Sequence, residues 1–299
     1  MYKTYFFNKK LLFSLLAFVA LHKNVIGAKA KRIGADSSQK PLLAFKDKTV
    51  TSYTLAANVA YPSILVGNEE ETLDYIEKFA DSRRDYLIRM HNKGKKFFPK
   101  IVKTFKKYNI PQEFKVLIAL ESAFKGNAVS VAGAVGYWQI MDEVANEYGI
   151  TYIPQPKAEQ KKLAAKKKAL KIPDTLKSKK PIVKDDRKNL NKSTQVAARY
   201  LRDRSKNLNN NWLLVVASYN CGVGNVWEAM RKSGKPNPSF WDIKPYLPAE
   251  TRNYVMNFIA LNVVYHNYEK FAQNNLNFKP VKVKVDDDVE KITRVVGNK

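Results

Sequence analysis

One carboxylic acid in this chain lies among apolar residues at helical spacing. The residues that share its face recur at i, i+3, i+4 and i+7 in a helix predicted from Pro111: Phe114, Leu117, Ile118 and Glu121. The apolar stripe and the negative end of the helix dipole both disfavour an ionised Glu121, so its pKa should be raised. A raised pKa suits a general acid. The alternative interpretation is a Glu at the rim of the face, paired with a Lys.

The residues after this helix could form a binding surface. Residues 130–136 read Ser-Val-Ala-Gly-Ala-Val-Gly, and small residues of this kind let a backbone approach a ligand closely. Tyr137 and Trp138 then offer flat rings, and Gln139 offers an amide that both donates and accepts hydrogen bonds. Flat rings and amides suit a sugar that carries N-acetyl groups. The pattern therefore predicts a glycosidase-like cleft beside Glu121.

Three separate motifs carry a family resemblance. Glu121-Ser122 followed by residues 130–139 (SVAGAVGYWQ) resembles the lysozyme-like catalytic domain of lytic transglycosylases, most closely the membrane-bound lytic murein transglycosylase D group. Residues 217–224 (ASYNCGVG) and 247–255 (LPAETRNYV) are similar to later motifs of the same family. The resemblance covers roughly residues 74–267 and implies a mainly α, lysozyme-like (soluble lytic transglycosylase-type) domain, with N-terminal helices that buttress the catalytic one.

The resemblance also implies a reaction and a set of site residues. Glu121 would protonate the β-1,4 bond between N-acetylmuramic acid and N-acetylglucosamine in peptidoglycan. As a base, it would then activate the muramic C6 hydroxyl, which gives a 1,6-anhydro product. Tyr219 and Tyr254 would lie near the acid, and Asn220 would bind substrate amides. The residues expected to contact substrate are Ser130, Gln139, Tyr219, Asn220 and Tyr254. No metal or cofactor is expected.

The motif supplies a single carboxylic acid. Glycosidases with paired carboxylates hold the second one roughly 5 to 9 Å from the first, but no Asp or Glu lies between Glu121 and Asp142. One acid suffices where the substrate supplies the nucleophile. Asp142 stands where the family usually has Pro, Ser218 where it has Ala, and Tyr137 where it has an aliphatic residue. Two alternatives stay open: a hydrolytic muramidase on the same fold, with Asp142 the first candidate for the extra acid, and a non-catalytic peptidoglycan-binding protein.

The charge and the N-terminus bear on location. The net charge of +26 predicts a polyanionic partner, either nucleic acid or an anionic cell wall. Lysines precede the apolar run 11–21 and small residues follow it, which is typical of a secretory signal peptide (residues 1–28) and too short for a typical membrane span. The alternative is a buried N-terminal helix. We therefore expect export to the periplasm or cell wall, with no nucleic acid partner.

The single cysteine, Cys221, limits anchoring and cross-linking. Because no Cys directly follows the signal peptide, we expect no lipoprotein anchor and no stable membrane anchor. A lone Cys also excludes an intrachain disulfide. We expect a soluble, exported monomer that acts on peptidoglycan glycan strands.

The rest of the chain predicts the following domains: a flexible lead-in (29–68), an N-terminal helical region (69–110), the transglycosylase domain (111–270) and a short tail (271–299). Further helices are expected at Glu69–Asn92, Phe97–Tyr108, Ser193–Leu208, Trp212–Tyr219, Asn225–Lys232 and Pro248–Asn267, with a loop at 241–248. Valines alternate with lysines at 281–285, which predicts a strand.

A Lys-rich insertion at 157–184 interrupts the family pattern. It holds eleven Lys and two acidic residues. It is either a solvated loop or a segment that binds the anionic cell-wall surface.

Overall fold

The computed structural model describes residues 51–154, 166, 184–285 and 293–294. The predicted signal peptide, most of the lead-in, nearly all of the Lys-rich insertion and the end of the tail lie outside the described residues. The chain divides into two compact units. Within the described residues, one unit comprises 59–276 and the other comprises 51–58 with the chain from 277 onward.

The larger unit is built from helices, so the predicted mainly α class is confirmed. Its α-helices in the described residues are α1 (Glu69–Ser82), α2 (Arg84–Gly94), α3 (Phe98–Lys107), α4 (Leu117–Ser122), α5 (Asp142–Glu147), α6 (Leu190–Asn207), α7 (Trp212–Cys221), α8 (Val223–Ser233), α9 (Phe240–Ile243), α10 (Ala249–His266) and α11 (Tyr268–Ala272). Short 3-10 turns occupy Ser63–Leu65, Gln112–Val116, Asp186–Lys188 and Lys244–Tyr246. No helix among the described residues is both long and apolar enough to cross a membrane.

Helix α10 lies in the core of this unit. Val255, Phe258 and Val263 have no exposed surface, and Ile259 and Val264 are equally buried. A helix that is apolar on all sides is typical of a buried position. It packs against α1, α4 and α7. The helix predicted at Pro248–Asn267 is confirmed as α10, and its buried position supports the residues near its N-terminus.

Helix α7 is the second buried element that leads to the candidate site. Asn211 caps its N-terminus, because its side chain accepts a hydrogen bond from the Leu214 N–H at 3.3 Å. The apolar run that follows is buried through Ser218. The helix packs against α6, α8 and α10. Its last turn carries Tyr219 and Asn220.

Two of the predicted elements were wrong in detail. The single helix expected at 69–92 is two helices, because the backbone of Arg83 (φ −129°, ψ 17°) leaves helical geometry. Apolar positions on both sides of the break stay buried, so periodicity did not indicate it. The predicted loop at 241–248 contains α9 and a 3-10 turn. Ser239 and Asp242 form a reciprocal capping box that starts α9.

The smaller unit contains a three-stranded antiparallel sheet. Its strands, in spatial order, are β1 (Thr51–Leu55), β2 (Val281–Val285) and β3 (Thr293–Arg294). The register pairs Thr51 with Val285 and Leu55 with Val281. The strand predicted at 281–285 is confirmed, and Val283 is fully buried. Strand β1 lies inside the stretch predicted as a flexible lead-in (29–68), for which no strand was predicted.

Candidate active site

Glu121 lies at the C-terminal end of α4, immediately before a sharp turn. The predicted apolar stripe is present, since Phe114, Leu117 and Ile118 have no exposed surface. The first part of the predicted helix is a 3-10 turn, and α4 begins only at Leu117. Ala123 (φ 49°) then adopts the left-handed conformation, as does the residue after it. This turn ends the helix directly after Glu121 and Ser122.

The surroundings of the Glu121 carboxyl favour its protonated form. Burial raises its pKa from 4.5 to about 8, and the negative charge of Glu250 adds to the increase. The Tyr254 hydroxyl donates a hydrogen bond to Glu121 Oε1, which partly opposes the shift. The side chain remains partly accessible to solvent. A carboxyl with this pKa carries its proton at neutral pH and can donate it to a bound substrate.

Two tyrosines support the acid. Tyr254 comes from the second turn of α10, and Tyr219 comes from the last turn of α7. The Tyr219 hydroxyl donates to the carbonyl oxygen of Trp138 at 2.8 Å. Burial, followed by the negative charge of Glu121, raises the pKa of both hydroxyls well above its usual value. Both tyrosines are therefore neutral hydrogen-bond donors beside Glu121.

Asn220 is held by a residue that the sequence analysis missed. Thr251 Oγ1 donates to Asn220 Oδ1 at 2.7 Å, which joins the end of α7 to the start of α10. Glu250, also missed, is the carboxylate whose charge acts on Glu121. Both residues lie in the 247–255 motif. At positions i, i+1 and i+4 in a helix, Glu250, Thr251 and Tyr254 lie on one side of α10, and this spacing was the signal that could have identified them.

Ser130 and Gln139 belong to a tightly bonded loop. Ser130 Oγ accepts from the Ala134 N–H at 2.9 Å. Gln139 (φ 47°) donates through Nε2 to the carbonyl oxygens of Gly136 at 2.9 Å and Ala128 at 3.3 Å. Both side chains are buried. Among the described residues, Gln139 Oε1 has no hydrogen-bond partner. The structure thus brings Glu121, Tyr219 and Tyr254 together, with Asn220 beside them, and shows the other two bonded within their own loop.

Of the two aromatic rings that were expected to face a sugar, only that of Tyr137 is accessible to solvent. Trp138 has no exposed surface, its Nε1 donates to Thr194 Oγ1 at 3.0 Å, and its ring lies 5.5 Å from that of Phe105. The expectation that Trp138 stacks on a sugar is therefore wrong, because the indole is part of the core and its donor is already satisfied. Tyr137 keeps partial exposure, with its ring 5.8 Å from that of Phe97.

Arg187 forms a buried hub that the sequence analysis did not identify. Its guanidinium has no exposed surface and donates to Asp185 (Nε to Oδ1 at 3.0 Å, Nη2 to Oδ2 at 2.8 Å) and to Asp142 Oδ1 at 2.5 Å. It also donates to the carbonyl oxygens of Ile140 and Ile153. The available signal was the Asp185-Asp186-Arg187 run directly after the Lys-rich insertion.

Gly136 allows the backbone of Arg187 to lie close to the loop that carries Ser130 and Gln139. Gly136 has φ 85°, and a Cβ there would overlap the carbonyl oxygen of Arg187. The small-residue run 130–136 therefore serves close backbone packing at this position. The sequence analysis had assigned the small residues to ligand approach.

The comparison with protein families agrees with this geometry. Residues 100–241 match the family model described as the transglycosylase SLT domain. The matched range includes Glu121, Ser130, Gln139, Tyr219 and Asn220. Tyr254 lies after it, on α10.

Related proteins match part of the chain. The chain is 27% identical over 191 residues to membrane-bound lytic murein transglycosylase D from Escherichia coli (strain K12), and the match covers 63% of this chain and 36% of that protein. The protein of the same name from Escherichia coli O6:H1 matches equally well. The chain thus spans just over a third of the length of these relatives.

Solved structures also resemble parts of the chain. An inactive mutant of lytic transglycosylase Slt from Pseudomonas aeruginosa has a TM-score of 0.40 and 22% identity, over 63% of this chain and 26% of that chain. The 70 kDa soluble lytic transglycosylase from Escherichia coli has a TM-score of 0.39 and 23% identity, over 56% of this chain and 24% of that chain.

Proposed function

We propose that the chain is a lytic transglycosylase. It cleaves the β-1,4 bond between N-acetylmuramic acid and N-acetylglucosamine in peptidoglycan, forms 1,6-anhydromuramic acid and serves cell-wall remodelling or turnover. The observation that carries this proposal is the Glu121 carboxyl, whose pKa burial raises to about 8 and whose hydrogen-bond donor is the neutral hydroxyl of Tyr254. The SLT domain match and the similarity to transglycosylase D support it.

In the proposed reaction, one carboxyl performs two proton transfers. Protonated Glu121 donates its proton to the glycosidic oxygen as the bond from this oxygen to muramic C1 breaks. The resulting carboxylate then accepts the proton of the muramic C6 hydroxyl, whose oxygen bonds to C1. Glu121 ends protonated, so no water is consumed. The Tyr254 hydroxyl donates to the carboxyl throughout, and its hydrogen bond is strongest when Glu121 is ionised between the two transfers.

The negative charge of Glu250 supports a hydrolytic muramidase as the second candidate function. Its negative charge acts on Glu121, so a second carboxylate does lie in the electrostatic reach of the acid. A hydrolase would use such a carboxylate to activate water. Asp142, the candidate suggested by the sequence, is less suited because its Oδ1 accepts a hydrogen bond from the buried Arg187 at 2.5 Å.

The proposal extends to location and binding partners. We propose that the chain is exported and acts in the periplasm or at the cell wall as a monomer, with no nucleic acid partner. Its substrate is the peptidoglycan glycan strand, and the Lys-rich insertion binds the anionic wall surface. The net charge of +26 supports an anionic binding surface. The site residues proposed to contact substrate are Ser130, Gln139, Tyr219, Asn220 and Tyr254.

Digestion of purified sacculi tests this function. The soluble products should be muropeptides that end in 1,6-anhydromuramic acid, each lighter by one water than its hydrolytic counterpart in the mass spectrum. The Glu121→Gln variant, treated in parallel, should release none. Mainly reducing ends would instead identify a hydrolase. Binding to sacculi without any release of muropeptides would identify a non-catalytic wall-binding protein.

A further inference from the structure

A pocket of about 310 Å³ lies between α8 and the segment that enters α10. Its volume is at the lower end of the range for small-molecule sites, roughly 300 to 1,000 Å³. One wall is α8, with Asn225 and Ala229. The other wall is the 3-10 turn and the residues after it, with Tyr246 and Pro248. No residue in this pocket belongs to the candidate active site.

Both walls of the pocket continue directly into chain segments that carry the active site. Asn225 lies four residues after Cys221, at the end of α7, and its Nδ2 donates to the Cys221 carbonyl oxygen at 2.5 Å. Pro248 is the residue before α10, the helix of Thr251 and Tyr254. The axial distance from Pro248 to Tyr254 is roughly 9 Å at 1.5 Å per residue. Pro248 therefore connects the pocket to the helix whose Tyr254 donates to the Glu121 carboxyl.

The chemistry of the pocket suits a sugar. Tyr246 is 48% exposed, so a large part of its ring is available to a ligand. The negative face of an aromatic ring attracts the C–H groups on one face of a pyranose. Asn225 supplies an amide, which can pair with the acetamido group of an amino sugar. Glu228 and Lys232 form an ion pair of 2.9 Å on the same wall and add polar atoms at its edge.

We propose that this pocket binds an N-acetylated amino sugar of the glycan strand, outside the two sugars that flank the cleaved bond. The inference rests on the proposed function, because it assigns an additional subsite to the same substrate. Tyr246 stacks on the sugar ring, and Asn225 accepts or donates at the acetamido group. The subsite lengthens the stretch of glycan that the enzyme recognises, so its contribution appears only with substrates long enough to reach it.

The chain offers a matched control for Tyr246. Exposed aromatic residues are common on protein surfaces and do not by themselves indicate a site. Trp227 has the same exposed fraction, 48%, and lies on the same helix as Asn225, but it does not line the pocket. Loss of an exposed ring in general should affect both positions. Loss of a subsite should affect only Tyr246.

The test uses glycan oligomers of increasing length, without stem peptides, and the full chain in its Tyr246→Ala, Tyr246→Phe and Trp227→Ala forms. We expect Tyr246→Ala to raise KM about fivefold to tenfold for the longer oligomers, in line with the loss of one stacked ring. KM for the shortest cleaved oligomer should stay unchanged. Tyr246→Phe and Trp227→Ala should behave like the parent at every length.

Several results would overturn the subsite. An equal loss at all lengths would make Tyr246 a structural residue, and an equal loss in Trp227→Ala would make the effect a general one. No change in Tyr246→Ala would leave the pocket without a role in binding, and a loss confined to peptide-bearing substrates would assign it to the stem peptide. If the parent cleaves no oligomer, the proposed function fails. Calorimetric binding of the same oligomers to Glu121→Gln, with and without Tyr246→Ala, then still decides the pocket.

Discussion

The carboxyl groups of Glu121 and Asp142 have opposite kinds of hydrogen-bond donor, one neutral and one cationic. Glu121 accepts a hydrogen bond from the neutral Tyr254 hydroxyl, and burial raises its pKa to about 8. Asp142 accepts one from the guanidinium of Arg187, which has no exposed surface. A neutral donor allows a buried acid to keep its proton, whereas a cation stabilises the carboxylate. The partner therefore separates a group suited to catalysis from one suited to structure.

Asp185 extends the comparison, because it is buried as well. Burial alone would raise its pKa, but hydrogen bonds from the Arg187 side chain and the Ile153 N–H, together with the guanidinium charge, hold the pKa below its usual value. Desolvation thus acts in the same direction on Asp185 and Glu121. The hydrogen-bond donors around each carboxyl decide the outcome.

The largest expected effect separates the two carboxyl groups by activity. Glu121→Gln should reduce the release of muropeptides at least about 100-fold, because it removes the proton donor. Asp142→Asn should keep most of its activity per folded molecule, although it should lower the free energy of unfolding by weakening the contact with Arg187. Activity on sacculi and thermal unfolding of both variants provide the measurement. Substantial activity in Glu121→Gln, or its loss in correctly folded Asp142→Asn, would reverse the assignment.

The next effect tests the Arg187 side of the comparison. Arg187→Leu should lower the free energy of unfolding by about 3 to 5 kcal/mol, because Asp142 and Asp185 lose the buried cation that both contact. Arg202→Leu is the control, since Arg202 and Asp203 form an exposed pair at 3.2 Å and should contribute less than about 1 kcal/mol. Urea unfolding of the two variants measures both values. Similar losses in the two variants would show that the buried hub has no special role in stability.

A smaller effect is expected at Tyr254, the neutral hydrogen-bond donor to Glu121. Activity of the parent should fall as pH rises through about 8, because the acid must be protonated. Tyr254→Phe removes the hydrogen bond that favours the ionised carboxyl, so the fall should move to higher pH. The value of kcat/KM on the low-pH plateau should drop about tenfold, because one hydrogen bond to a charged group is lost. A pH–rate profile of kcat/KM measures both effects, and an unmoved profile would mean that Tyr254 does not act on Glu121.

The smallest effect is expected for the Lys-rich insertion. Deleting Lys157 to Lys180 should leave cleavage of short soluble glycans nearly unchanged, because none of the motif residues lies in that segment. Binding to intact cell walls should weaken and depend less steeply on salt, since exposed charges act over a Debye length of about 8 Å at physiological ionic strength. Binding assays at several salt concentrations measure this. Identical binding curves would leave the segment as a solvated loop, and lost cleavage of short glycans would place it in the cleft.

Local pattern predicted the parts of the site that local spacing determines. The apolar stripe of Phe114, Leu117 and Ile118 is buried as expected, so the environment of Glu121 could be inferred from four positions. Its partner Tyr254 is 133 residues away, and periodicity contains no information about that pairing. Only the family resemblance placed Tyr254 near the acid.

The failures have a related cause. Trp138 follows a small-residue run, which suggested a surface, but its indole N–H has a buried partner in Thr194 on a distant helix. The pairing of β1 with β2 joins segments more than 200 residues apart, so only β2, with its alternating valines, was predictable. Arg187 was missed because its meaning depends on Asp142 and on the carbonyl oxygens of Ile140 and Ile153, which the fold brings to it.

The surroundings of Glu121 should keep its carboxyl protonated at neutral pH. An NMR titration of isotopically labelled glutamate side chains measures this directly, with the Glu121 signal assigned as the one absent from Glu121→Gln. We expect a midpoint near 8, and a still higher midpoint in Tyr254→Phe. A midpoint near the ordinary value of 4.5 would show that Glu121 is ionised at neutral pH and cannot serve as the acid.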